Sequence, residues 1–168
     1  MNDKELLIEI KNLSVEYKTR LGQVSAVDNV SFDIYRGEIL GLVGESGCGK
    51  STMGKALMRM IQPPGQITSG QIIFEGEDIM TYGDTQMRDF RGRRVSMIFQ
   101  DPMTSLNPTQ RVDEHIVEAI QVHEPETKTE DAFTRAEKLI QKLGIQKRRM
   151  NSYPHQLSGG MRQRVMVG

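Results

Sequence analysis

The sequence predicts an α/β fold with an antiparallel β layer first, a phosphate-loop core second and a helical subdomain last. Three observations predict it. Between residues 6 and 35 apolar and polar side chains alternate with the two-residue period of strands. The run Gly44-Glu45-Ser46-Gly47-Cys48-Gly49-Lys50-Ser51 fits G-x-x-x-x-G-K-[ST] with no mismatch. From about Thr104 onward the apolar spacing turns helical and no strand pattern returns. The organisation expected is a P-loop α/β core with its β layer over 1–103 and a helical subdomain over 104–168.

Leu6 to Tyr17 reads as a strand, or two with a kink, and Val24 to Tyr35 continues in the same style with Val27, Val30, Phe32 and Ile34 apolar. Tyr17 is the one aromatic of this pair with a choice between a ligand and the core or surface. An ordinary core or surface tyrosine is the simpler reading. Ile39-Leu40-Gly41-Leu42-Val43 suits a buried parallel strand leading into the loop.

Each fixed position of the loop has a mechanical reason. The glycines let the backbone curl so that successive N–H groups point at phosphate oxygens. Lys50 brings a positive charge to the β- and γ-phosphates, and the Ser51 hydroxyl suits Mg²⁺. Ser51 to Ile61 reads as a helix whose N-terminal dipole adds to the anion site.

Gln62-Pro63-Pro64-Gly65 then stops regular structure, and Gly70 to Gly76 reads as a short strand. Asp84 to Phe90 reads as a short helix with Asp84 as N-cap. Arg91, Arg93 and Arg94 read as a solvated turn before a second buried strand, Val95-Ser96-Met97-Ile98-Phe99. Gln100 follows at the carboxyl end of that strand, where open α/β sheets place ligands, so it is placed to reach Mg²⁺ or an attacking water. Pro102 and Pro108 keep the segment after it out of a helix.

In the last part Val112, Ile116, Ala119 and Ile120 share one helical face, and Phe133, Ala136, Leu139, Ile140 and Leu143 another. The second helix opens at Thr129-Glu130-Asp131 and closes at Gly144. His115 and His123 lack metal-ligand spacing and read as surface residues. Ser158-Gly159-Gly160 opens a further helix and is a second anion-binding N-terminus by the physics of the first loop. Alone, that tripeptide is a weak signal.

Composition narrows the function. Lys plus Arg equals Asp plus Glu at 22 each, with no basic stripe carrying interleaved aromatics, so a nucleic-acid binder is not expected. The single cysteine, Cys48, rules out an internal disulfide framework, and its place in a tight turn suggests packing. The charged start Met1-Asn2-Asp3-Lys4-Glu5 is not a signal peptide. No apolar run approaches the roughly 18–20 residues of a membrane span, so the chain is expected to be soluble and intracellular, reaching a membrane only through partners.

The P-loop at 44–51, the strand-end Gln100, the helical insert and Leu157-Ser158-Gly159-Gly160-Met161 occur in an order and spacing that resembles the ATP-binding subunit of ABC transporters. The likeness covers essentially the whole chain. Phe99 to Pro108 and Ser158 to Arg164 look like the branch that imports dipeptides, oligopeptides and nickel, in which Met commonly stands where Met161 does.

The resemblance implies an ATPase coupled to transport at the cytoplasmic face of the membrane, with ATP and Mg²⁺ as cofactors. ATP would be held by Gly44, Glu45, Ser46, Gly47, Cys48, Gly49, Lys50, Ser51 and Thr52, with Tyr17 stacked on adenine. Ser51 and Gln100 would serve the metal, and Lys50 and Gln100 would act in catalysis. Ser158, Gly159 and Gly160 would contact the γ-phosphate on a second ATPase subunit in a head-to-tail dimer. Two transmembrane permease subunits and, indirectly, a solute-binding protein are the implied partners.

Importing nickel or another small solute is the nearest alternative, and a non-transport ABC ATPase the next. A P-loop kinase or GTPase would leave Ser158-Gly159-Gly160 unexplained. The family's Walker B carboxylates and later His are not in the sequence. Val95 to Asp101 imitates Walker B, but its apolar run leads to Gln100 and Pro102 follows Asp101. The expectation is an N-terminal fragment that binds nucleotide weakly and does not turn over, with the apolar faces of Ile39–Val43 and Val95–Phe99 partly bare.

Overall fold

The computed structural model describes residues 5–99 and 106–167. The chain divides into two compact units, Met1–Arg91 and Gly92–Gly168. The boundary expected at 103/104 lies outside the described residues.

The first unit is built on a four-stranded antiparallel sheet in the order β2-β1-β3-β4. Strand β1 (Leu6–Thr19) turns through Arg20-Leu21 into β2 (Gly22–Tyr35), with Thr19 opposite Gly22 and the Thr19 hydroxyl donating to the Gly22 carbonyl at 2.7 Å. Strand β3 (Gly65–Phe74) pairs with the other edge of β1, and β4 (Glu77–Asp78) with the end of β3.

The kink expected in β1 is a bulge. Asn12 and Asn29 both adopt φ 48° and join through a side-chain hydrogen bond of 2.9 Å. The Ser14 hydroxyl accepts from the Asn29 N–H at 3.0 Å. The register shifts between Ile10 and Leu13 and again before Val15. Strict alternation would put Ile10 and Leu13 on opposite faces; here Ile10, Leu13 and Val15 are all buried. Gly70 is required opposite the bulge, because a Cβ there would lie 2.5 Å from the Leu13 Cα.

Helix α1 (Lys50–Leu57) buries Met53 and Ala56 and packs against β2. It ends four residues before the expected Ile61. The reason is local: Arg59 takes φ 47°, and the N–H groups of Arg59 and Met60 return to the carbonyls of Ala56 and Lys55, each at 2.8 Å. This is a Schellman closure with arginine where glycine is usual. The Arg59 guanidinium donates to the carbonyls of Ile79 and Tyr82 at 2.9 and 2.8 Å. Arg91 is no solvated turn residue either: it donates to the carbonyls of Met58 and Arg59 at 2.7 and 2.6 Å.

Other expectations need correction. Ile39–Val43 is not a buried strand: it pairs with no strand among the described residues, and Ile39 and Val43 are 98% and 93% exposed. Val95–Phe99 likewise forms no strand, with Ile98 and Phe99 exposed. An apolar run favours a strand only when a neighbour supplies hydrogen bonds and a covering layer, and the described sheet supplies neither. β3 begins at Gly65, directly after the proline pair, rather than at Gly70. Helix α2 (Asp84–Asp89) is capped one residue earlier than expected, the Gly83 N–H donating to the Gln86 side chain at 3.0 Å.

The second unit holds helices and no strand among its described residues. Helix α3 (Val112–His123) and helix α4 (Thr129–Lys142) pack as a hairpin, followed by a 3₁₀ turn at Lys147–Arg149 and helix α5 (Gly159–Val167). The expected faces of α3 and α4 close on one core in which Val112, Ala136 and Ile140 are fully buried, but Ala119 is exposed, and Val117 and Ala132 are buried in that core as well. Gly144 stops α4 with φ 67°, its N–H on the Gln141 carbonyl and that of Ile145 on Ile140, both at 3.0 Å. The first N–H groups of α3 are met by the carbonyls of Ser152 and Met150 at 3.0 and 3.1 Å. His115 and His123 are half-buried rather than on the surface; the His123 ring packs on Gly92 and His115 Nε2 meets the Asn107 carbonyl at 3.1 Å.

Candidate functional site

The loop expected to hold phosphate runs from Gly44 into the first turn of α1. Gly47 and Gly49 take φ 84° and 94°, a region an L side chain rarely adopts, so the curl depends on glycine. At Gly49 space demands it too: a Cβ would lie 2.1 Å from the Ala26 carbonyl oxygen of β2. The loop is thus seated on the β layer by a contact between two backbones. Cys48 is exposed, and its thiol lies against Gly44, where a Cβ would meet Sγ at 2.6 Å.

Lys50 and Ser51 open α1. No side chain caps that helix, and its intrahelical bonding begins with the Met53 N–H on the Gly49 carbonyl at 2.8 Å. The N-terminal N–H groups therefore face an exposed loop with no side-chain acceptor, the condition in which an anion is favoured. The Lys50 ammonium lies across the same loop, donating to the carbonyls of Gly44 and Glu45 at 2.8 and 2.6 Å and 3.5 Å from the Cys48 sulfur. It can exchange those carbonyls for phosphate oxygens.

The described residues contain no group of three or more His, Cys, Asp or Glu able to hold a metal ion. The donor set at the loop, an exposed serine hydroxyl beside the anion seat, fits a metal that arrives with phosphates and keeps much of its water, as Mg²⁺ does. Gln100, expected to reach the same metal, lies outside the described residues.

Tyr17 belongs to the same unit, opposite Val24 on β2 and Gly65 on β3. It is half-buried, and its ring crosses Gly65 so closely that a Cβ there would meet ring carbons at 2.6 and 2.9 Å. The ring is thereby held at the end of the sheet nearer the Ala26 contact with the loop.

Ser158, Gly159 and Gly160 belong to the second unit, at the start of α5. Leu157 is buried and anchors the entry, while Ser158 to Gly160 are exposed. The Ser158 hydroxyl accepts from the Met161 N–H at 3.3 Å, and the Ser158 carbonyl takes the Arg162 N–H at 3.0 Å. A Cβ at either glycine would meet nothing within 4 Å.

Three supporting residues escaped the sequence: Ala26 through its carbonyl, Gly65 beneath Tyr17, and Arg164. The Arg164 guanidinium reaches the Leu143 carbonyl at 2.6 Å. A main-chain contact leaves no residue-type signal, and Arg164 resembles any surface arginine.

Comparison with known proteins bears on this arrangement directly. The ABC transporter family model matches residues 27–168. The chain belongs to the ABC transporter family. Over 164 residues it is 46% identical to the oligopeptide transport ATP-binding protein OppD of Bacillus subtilis (strain 168), covering 96% of this chain and 46% of that one. It is 43% identical to the dipeptide transport ATP-binding protein DppD of Lactococcus lactis subsp. cremoris (strain MG1363), covering 98% of this chain and 48% of that one.

Among solved structures, the dimeric ABC transporter cassette MJ0796 superposes with a TM-score of 0.81 at 26% identity, covering 96% of this chain and 67% of the cassette. The same cassette in a post-hydrolysis state bound to ADP and Pi matches equally well by TM-score, 0.81, at 25% identity. The α/β ABC cassette fold is therefore that of this chain. The chain spans about half the length of the curated relatives it matches.

Proposed function

We propose that this chain carries the ATP-binding part of a subunit that energises an ABC importer of di- or oligopeptides. The observation that carries the reading is the uncapped N-terminus of α1 behind the Gly49–Ala26 seat, with the Lys50 ammonium across the loop. Glycine backbone conformation, free N–H groups and a movable ammonium together suit a polyphosphate and little else. The peptide solute is inferred from the transport roles for which the relatives are named.

In this reading the loop N–H groups from Gly44 to Thr52 hold the phosphates and Lys50 neutralises the β- and γ-phosphates. Bound Mg²⁺ would supply charge neutralisation between phosphate oxygens, with Ser51 and Gln100 as its protein contacts. Tyr17 offers a flat apolar face to adenine. Ser158 and the N–H groups of Gly159 and Gly160 complete the phosphate shell on a second ATPase subunit. That pairing is supported by the dimeric state of MJ0796. ATP hydrolysis, two permease partners and a peripheral place on the cytoplasmic face belong to the proposal for the complete subunit. No helix among the described residues is long and apolar enough to cross a membrane.

The test is equilibrium binding of an ATP analogue with Mg²⁺ to wild type, K50A and S158A, paired with peptide uptake by the full-length transporter. K50A should weaken binding at least about ten-fold, as loss of a charge-assisted contact to phosphate implies. S158A should bind like wild type yet fail to support uptake. Wild-type uptake by both variants would sink the site assignment.

A further inference from the structure

The formal charge of the chain is zero, but it is not evenly spread. After Glu137 the remaining residues include no Asp or Glu, yet seven Lys or Arg. Two of them, Arg162 and Arg164, lie on α5. The other five, Lys138, Lys142, Lys147, Arg148 and Arg149, gather around the C-terminal end of α4.

Lys138 and Lys142 stand four residues apart on α4, hence on one stripe of that helix, and both are exposed. The neighbouring stripe holds Glu137 and Gln141, and Lys147 reaches back to Glu137 at 2.6 Å, which docks the 3₁₀ turn against α4. Lys147 remains 67% exposed, Arg148 is exposed and Arg149 half-buried. Among the described residues Glu137 is the one carboxylate bonded into the cluster; Asp113, below the same loop, is buried and paired with Arg111. The helix C-terminus adds its own negative end and so favours this gathering of cations. Tyr153 follows the turn closely, 38% exposed, its ring stacked on His155 at 5.7 Å between centroids.

An exposed, predominantly cationic surface followed in the chain by an exposed aromatic ring is the chemistry that recognises an anionic lipid interface: cations attract the headgroups and the ring partitions at their level. We propose that the surface formed by Lys138, Lys142, Lys147, Arg148, Arg149 and Tyr153 binds anionic phospholipid headgroups at the membrane face. The choice of a lipid over other polyanions rests on reading the chain as part of a transport ATPase. The surface brings the chain to the membrane by its own charge, independently of any permease. Each cation near an anionic surface contributes about five-fold in partitioning, and the attraction is screened by salt.

The experiment is vesicle co-sedimentation of the full chain without nucleotide, so the result does not depend on the P-loop assignment. The vesicles are phosphatidylcholine alone, or phosphatidylcholine with one third phosphatidylglycerol. The triple variant K142Q/K147Q/R148Q is compared with R20Q/R88Q/K128Q, which removes the same charge elsewhere. Wild type should bind the anionic vesicles at low salt and release as salt rises above roughly 0.3 M. The triple variant should bind on the order of a hundred-fold more weakly, and the control variant like wild type.

Circular dichroism confirms that each variant is folded, and the single variant R148E, with the largest local change at one exposed site, stands in if the triple variant is not. Equal binding to phosphatidylcholine vesicles would mean that exposed apolar residues such as Ile39 and Val43 drive adhesion, and the proposal would fall. It would fall equally if the two triple variants bound alike. Retention of single-stranded RNA by the same three cations, with vesicles ignored, would assign the surface to nucleic acid instead.

Discussion

The backbone of Gly49 meets the backbone of Ala26 with no room for a side chain: a Cβ at Gly49 would stand 2.1 Å from the Ala26 carbonyl oxygen. The turn that leads into α1 is therefore positioned by the β layer as well as by its own glycines. Gly49→Ala is expected to be severe for two additive reasons, a left-handed φ of 94° and a clash with an atom that cannot move aside. Stability should fall by at least about 2 kcal/mol and nucleotide affinity by about ten-fold or more. Urea unfolding and ATP-analogue titration of the same preparation check both.

Gly65 and Tyr17 make a second pair in which the glycine matters through what it leaves empty. Tyr17→Ala should lower affinity for ATP by about ten-fold, the scale of one stacking contact, while Tyr17→Phe keeps it. Gly65→Ala should resemble Tyr17→Ala, because the added methyl displaces the ring. Comparing ATP with inorganic triphosphate separates a base contact from a phosphate effect: only ATP should respond.

Arg59 closes α1 in a left-handed conformation and spends its guanidinium on the carbonyls of Ile79 and Tyr82. Arg59→Ala keeps the strain and loses both bonds, so it should destabilise by about 2 kcal/mol. Arg59→Gly loses the same bonds but relieves the backbone, and should be the milder by about 1 kcal/mol. Denaturant midpoints of the two variants decide the order.

Glu124 accepts two bonds from Arg135, at 2.6 and 2.9 Å, and one from Thr127 at 3.1 Å. The Arg135 bonds above all hold its carboxyl down to about 2 from 4.5. A carboxylate depressed by folding contributes stability that is complete above its unfolded pKa and is lost as pH falls toward the folded one. The contribution should therefore fade between about pH 5 and 2, and Arg135→Gln should return Glu124 to the ordinary carboxylate range. A carboxyl-carbon NMR titration of Glu124 in both chains is the check.

Much of this molecule is legible in the residues because the signals are local. The P-loop is a chemical pattern, and α3 and α4 carry helical periodicity with a start at Thr129 and a stop at Gly144. The bulge is visible only as a kink, since its cause lies in Asn12 meeting Asn29 across two strands. Ile39–Val43 and Val95–Phe99 mislead for a related reason. Their composition is that of strands, but a strand is completed by a partner, and no pattern within five residues states which segment that is. Arg59 is hidden because a helix end is normally announced by glycine or proline. The roles expected of Tyr17 and Ser158–Gly160 come from family likeness; the structure adds the packing of Gly65 against one and the open helix end at the other.

Arg164 grips the end of α4 from α5, while the Ser158 hydroxyl caps the other end of the same helix. This helix of nine residues is thus capped by its own opening serine and tied from its last turn to the carbonyl that ends its neighbour. Loss of the Arg164 side chain would therefore free α5 from the end of α4 while leaving its own cap at Ser158 in place.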